Sequence, residues 1–142
     1  MKNTILFLLL FIGASGLTQD FKKQLKQADK LFKSELYVEA LDQYQKLLTI
    51  KPQDSDLAYK YGACVVMTNS NNEQALKYLL VAEKKGKSDK EIAFFVGKAY
   101  ENQKDYKNAI TYYERFQTVA DRSQLKKLKV SKSIKSCKKM LK

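Results

Sequence analysis

The sequence predicts an all-α chain built as an array of helix–turn–helix units, and three observations carry that prediction. Ala40, Ala75 and Ala109 occupy like settings, in YVEALDQYQKLL (37–48), NEQALKYLLVAE (72–83) and YKNAITYYERFQ (106–117), at intervals of 35 and 34 residues. Self-similarity near 34 residues marks stacked helix pairs that bury their apolar faces on one another. Elsewhere apolar residues recur at steps of three and four, with none of the alternation that a strand requires, and glycines are few.

The first segment stands apart from the array. Lys2 precedes the apolar run from Ile5 to Ile12, and the small residues Gly13, Ala14, Ser15 and Gly16 follow. This order of basic, apolar and small residues is that of a cleaved export signal. A membrane span needs about 20 apolar residues, and this run holds eight. No cysteine follows it for lipid attachment. The reading is a signal peptide over 1–16, cut after Gly16 or alternatively after Thr18, and an exported mature chain.

Three units then fill 17–121, over about 20–54, 55–87 and 88–121. In the first, Phe21, Leu25, Ala28, Leu31 and Phe32 mark one amphipathic helix. After a turn at 33–36, Tyr37, Ala40, Leu41, Tyr44, Leu47 and Leu48 form the inner face of a second, which Pro52 ends. In the second unit, Leu57, Ala58, Tyr61, Gly62, Val65 and Val66 lie inward. Its turn, Thr68-Asn69-Ser70-Asn71-Asn72, holds one extra residue, which accounts for the interval of 35. Ala75, Leu76, Leu79, Leu80 and Ala82 follow, and Gly86 is placed to cap that helix.

The third unit opens on Ser88 and Glu91, spaced as a capping box. Its inward residues are Ile92, Ala93, Val96, Gly97 and Tyr100, then, after a turn at 103–105, Tyr106, Ala109, Ile110, Tyr113 and Phe116. A single basic capping helix is expected over 122–142, with Val130, Ile134, Cys137 and Leu141 as its apolar stripe. It reads as the first helix of a fourth unit serving as an end cap, one face buried and one solvated. Leu125 and Leu128 fall off that stripe. They either tuck under the third unit or form an exposed apolar spot.

Charge is concentrated at this end. Residues 122–142 carry Arg122, eight lysines and none of the 15 carboxylates, while 17–121 is nearly neutral with 17 basic and 15 acidic residues. Cys64 and Cys137 are two units apart. Stacked helices lie about 10 Å apart per layer, and a disulfide needs Cα atoms within about 7 Å. Both cysteines are therefore expected to be reduced, buried, small apolar residues, with Cys137 the one to be partly exposed.

These residues resemble the tetratricopeptide repeat (TPR) family. That family sets a small residue where the paired helices touch, matched by Ala28, Gly62 and Gly97, and a larger one three on, matched by Leu31, Val65 and Tyr100. An aromatic opening the second helix is matched by Tyr37 and Tyr106, the alanine three later by 40, 75 and 109, and the closing proline by Pro52 alone. Asn72 stands at one aromatic position, and no tryptophan is present. The signal segment, three units and cysteine-bearing last helix are also similar to the N-terminal TPR module of larger bacterial envelope proteins. There a propeller and a peptidoglycan-binding domain similar to outer membrane protein A follow. That similarity implies an envelope setting.

The functional classes narrow accordingly. The chain has no histidine, no phosphate-binding loop and no nucleophile–base pair, so neither an enzyme, a small-molecule substrate, a cofactor nor a metal is expected. The resemblance implies a scaffold whose first helices line a groove for a protein or peptide partner. It projects Lys22, Leu25, Asp29 and Phe32 there from unit one, Tyr59, Ala63 and Met67 from unit two, and Phe94, Lys98, Glu101 and Asn102 from unit three. Alternatively Phe32, Tyr59 and Phe94 pack between layers, since helical spacing does not separate the two. The family's carboxylate-clamp pattern of lysine and asparagine is unmatched. A second reading is an adaptor held to an anionic membrane or polymer surface through Lys132, Lys135, Lys138 and Lys139. Without interleaved aromatics for base stacking, that helix does not suit nucleic acid.

Overall fold

A computed structural model describes the backbone of residues 3–86 and 90–142 and the side chains of 18–86 and 90–142. Its helices are α1 (Asn3–Lys33), α2 (Tyr37–Ile50), α3 (Ser55–Thr68), α4 (Asn72–Lys84), α5 (Ile92–Asn102), α6 (Tyr106–Val119), α7 (Arg122–Lys127) and α8 (Val130–Met140). They pack as consecutive pairs, α1 on α2, α3 on α4 and α5 on α6, with α8 stacked on α6. No strand occurs among the described residues. The segment read as a signal peptide lies outside the described side chains, as does Ser88 of the expected capping box. Glu91 holds the N-cap position of α5 without a side-chain cap bond. No helix among the described residues is long and apolar enough to cross a membrane.

The repeat is visible at atomic level in the crossing of each pair. A Cβ on Gly62 would lie 2.8 Å from Leu79 Cγ and 3.3 Å from the Ala75 carbonyl oxygen. At Gly97 the same atom would meet Tyr113 Cδ1 at 2.9 Å and the Ala109 carbonyl at 3.3 Å. Ala28, Ala40, Ala75 and Ala109 are all fully buried. The small residues thus set how closely two helix backbones approach, and the bulky residue four past each alanine (Tyr44, Leu79, Tyr113) fills the centre of the pair.

Each turn repeats one device. Glu35, Asn69 and Lys104 adopt left-handed backbones with φ of 60°, 51° and 63°. The amides that follow, at Leu36, Ser70 and Asp105, donate to the carbonyls of Leu31, Val65 and Tyr100 at 3.0, 3.2 and 2.9 Å. This is the Schellman closure, which satisfies carbonyls that a helix end leaves open. In units one and three the next residue, Leu36 or Asp105, is already the N-cap, whereas in unit two Ser70 is inserted before the cap Asn71. The extra residue therefore lies in the asparagine-rich turn, where the spacing placed it. Asn71, Asp105 and Asp54 accept amide protons at their helix starts. Gly86 has φ 82° just past α4, as its expected capping role requires.

The closing segment differs from its sequence expectation in three respects. The single helix over 122–142 is two helices, broken at Lys129, which sits in the left-handed region at φ 53°. Asp121 starts α7 with a complete capping box, its carboxylate taking the Gln124 amide and the Gln124 side chain taking the Asp121 amide. The break re-aims the chain, so Leu125 and Leu128, off the α8 stripe, pack against the core instead. Cys137 is buried like Cys64, at 1% exposed against 0%, and not partly exposed, because its face of α8 lies against α6. Leu141, counted in the buried stripe, is 56% exposed past the end of α8. Both cysteines are free thiols, and burial pushes Cys64 up to about 12.

Candidate functional site

The inner side of the array holds an open cavity of about 440 Å³. Its walls come from the first turn (Glu35, Tyr37), the end of α3 (Met67), α5 (Phe94, Lys98, Glu101) and the closing segment, chiefly Leu128, Lys129 and Lys132. Four residues projected to a groove from the sequence, Met67, Phe94, Lys98 and Glu101, are therefore brought together. Phe94 forms part of its floor and is 5% exposed, with its ring 5.9 Å from Tyr113 and 5.7 Å from Phe116. Met67 is the exposed apolar member, at 38%.

The other projected residues are placed elsewhere. Tyr59 and Ala63 are buried, which corrects their assignment to a partner-facing surface. Spacing at helical intervals marks both faces of a helix enclosed on two sides, and α3 lies between α2 and α5 as well as against α4. Phe32 is half-buried and joins an aromatic cluster, 5.6 Å from Tyr37, 6.1 Å from Tyr44 and 6.5 Å from both Tyr59 and Phe95. It packs between layers. Asn102 donates to the Val66 carbonyl at 3.3 Å and to Asn72 Oδ1 at 2.9 Å, tying unit three to the turn of unit two. Lys22, Leu25 and Asp29 line a separate open trough along α1.

Two of the projected carboxylates serve the scaffold. Tyr44 donates to Asp29 Oδ1 at 2.7 Å, and Lys60 contacts both Asp29 and Asp56 at 2.8 Å. At the other end Tyr113 donates to Glu101 Oε2 at 2.5 Å, with Lys98 on the same oxygen at 3.1 Å. Burial, then the hydrogen bond to the carboxylate and its charge, push both phenols well above their usual range. Asp29 and Glu101 are thus acceptors for the hydroxyls of buried tyrosines.

What sequence reasoning missed was the back wall of the cavity. Lys127 Nζ reaches Glu35 Oε1 at 2.6 Å, joining the closing segment to the first turn. Leu128, Lys129 and Lys132 enter the cavity only because the chain breaks at Lys129. The off-stripe position of Leu125 and Leu128 was the available signal. Lys129 and Lys132 have no carboxylate partner among the described residues, so the rim is cationic beside an apolar interior. No cluster of three or more metal-ligating side chains occurs among the described residues.

No family model matches the chain, and no curated protein sequence matches it. Solved structures do. The TPR domain of Sgt2 from Aspergillus fumigatus superposes with a TM-score of 0.63 at 17% identity, over 86% of this chain and 79% of that one. The type III secretion chaperone SycD of Yersinia enterocolitica, solved in complex with a peptide of the translocator YopD, superposes at 0.66 and 16% identity, over 87% of this chain and 96% of that one. Identity this low carries the path of the backbone and nothing about the partner. Two crossings at glycine, a fully buried Ala28 at the matching place of unit one, three like turn closures and these superpositions agree: this chain has the TPR fold, an all-α array of three helix pairs with closing helices.

Proposed function

We propose that this chain is an exported TPR scaffold of the bacterial cell envelope that holds a protein or peptide partner in the inner cavity. One observation carries the reading. Met67, Tyr37 and Leu128 form an apolar surface in a concavity rimmed by Lys129 and Lys132, which suits a short segment bearing an apolar anchor beside a carboxylate. The SycD structure, which holds a peptide of YopD, supports peptide binding as a use of this fold. The order of residues in 1–16 supports export.

A photocrosslinking residue at Met67, compared with one at the 69%-exposed Val38 outside the cavity, tests the site. The expected outcome is a discrete crosslinked product from envelope extract at position 67 and none at 38, with Met67→Glu lowering recovery about tenfold. Equal labelling at the two positions would reject the cavity. Recovery of a tagged chain solely from the cytosol, with residues 1–16 still attached, would reject export.

A further inference from the structure

A second concavity lies on the far side of α8, in the trough between α6 and α8. It has a volume of about 690 Å³, and Ile134 lies in its floor. Lys135, Lys138 and Lys139 rise from the α8 wall, Lys142 lies just past its end, and Glu114 and Gln117 face them from α6. Glu114 is the single carboxylate there, and Lys138 Nζ already holds it at 3.0 Å. Lys135, Lys139 and Lys142 have no carboxylate partner among the described residues.

Position in the array says what shape this trough accepts. Both α3 and α5 carry a second helix packed against them, α4 and α6. On α8, stacked on α6 as α5 is stacked on α4, no helix of the described residues takes that place. The trough has the form that this fold fills with a rod. The charge pattern agrees, since Lys132, Lys135 and Lys139, all within α8 and lining the trough, stand at steps of three and four, about one per helical turn of 5.4 Å along one line. A helix with carboxylates at steps of three and four presents the same rise, whereas an extended strand turns successive like-facing side chains about 6.6 Å apart. The lysine stems and Ile134 supply an apolar base for such a helix.

We propose that the α6–α8 trough is a docking site for an acidic amphipathic helix of a partner protein, lying along α8 where a second helix of the unit would lie. A bilayer surface, the other anionic ligand of a lysine face, is flat and would engage the outer lysines without entering a concavity walled by α6. The trough shares Lys132 and Ser136 with the inner cavity, while Ile134, Lys135, Lys138, Lys139, Glu114 and Gln117 belong to the trough and not to that cavity.

Fluorescence anisotropy of the whole chain with a labelled peptide of about 16 residues tests this, that length giving about four turns. The peptide carries glutamates at steps of three and four on one face and leucines beside them. Its controls are a scrambled peptide of equal composition and vesicles containing anionic phospholipid, all at about 0.15 M salt. The expected result is binding of the patterned peptide about tenfold tighter than of the scrambled one. The double variant Lys135→Glu/Lys142→Glu should lose about tenfold or more. Lys126→Glu, outside the trough, and Met67→Glu, in the inner cavity, should leave binding unchanged. Equal binding of patterned and scrambled peptides, or indifference to the double reversal, overturns the proposal. So does failure of the patterned peptide to bind, and binding of vesicles in that case assigns the lysine face to membranes.

Discussion

The third helix pair and the closing segment lie side by side yet are built on opposite terms. In α5–α6 every central position is apolar or internally satisfied: Gly97 against Tyr113, Tyr113 on Glu101, and Ala109 fully buried. In α7–α8 one narrow buried stripe, Val130, Ile134 and Cys137, with partly buried Leu125 and Leu128, carries the packing, while lysines occupy most of the surface and the chain breaks at a left-handed residue. The pair resists change because two backbones meet at van der Waals contact. The closing segment tolerates change and carries the charge that a partner can read.

The largest effect is expected where the pair is tightest. Gly97→Val adds three carbons at a point where the first already lies 2.9 Å from a Tyr113 ring held by Glu101. A loss of about 2–3 kcal/mol in urea unfolding is expected. Gly97→Ala should cost less, because unit one accommodates Ala28 at the same crossing and alanine favours the helix. A valine variant as stable as the parent would show that the crossing is not a fixed contact and would erase the contrast.

Alkaline titration of the buried groups gives the next effect, and burial raises Cys137 of the closing segment as well. Tyr44 and Tyr113 are raised above the ordinary phenol value of 10.0, and Cys64 is raised from 9.0 to about 12. The folded chain keeps these protons while the unfolded chain releases them. Their stabilisation is therefore complete below about pH 9 and is lost as pH rises through 9 to 12 and beyond, at up to about 1.4 kcal/mol per pH unit per group. Urea midpoints should be level from pH 7 to 8.5 and fall steeply above 10, and Tyr113→Phe should make that fall shallower. A flat midpoint to pH 11 would mean that the tyrosines are not held in this way.

The smallest effect has the opposite sign and lies in the closing segment. Lys129 and Lys104 both occupy left-handed backbones, with φ 53° and 63°. Glycine there relieves strain, so Lys129→Gly and Lys104→Gly should each gain about 0.5–1 kcal/mol in thermal or urea unfolding. A loss at Lys129 with a gain at Lys104 would show that the closing break needs more than its backbone angle.

The repeat was legible in the residues because it is a local matter. Alanine, glycine and apolar spacing report which face of a helix is buried, and a turn declares itself through Asn69, Asn71 or Gly86. The interval of 35 pointed to one inserted residue, and Ser70 is that residue. The candidate site was legible only in part. Met67, Phe94, Lys98 and Glu101 were projected to one groove and meet in one cavity, but Tyr59 and Ala63 were projected there too and are buried. Periodicity gives the buried side of a helix touched by one neighbour, and α3 has several.

By itself, then, the sequence determined the fold class, the three crossings, the turn with the extra residue and the placing of positive charge at one end. Each follows from the identity of residues close together in the chain. Only the tertiary structure decided that Asp29 and Glu101 serve buried tyrosines, that Lys127 reaches Glu35, and that the break at Lys129 turns the closing helices into a wall of one cavity and the edge of another. Those relations join residues far apart in sequence. They exist because stacking successive pairs brings distant side chains within a few ångströms, a distance that no interval along the chain records.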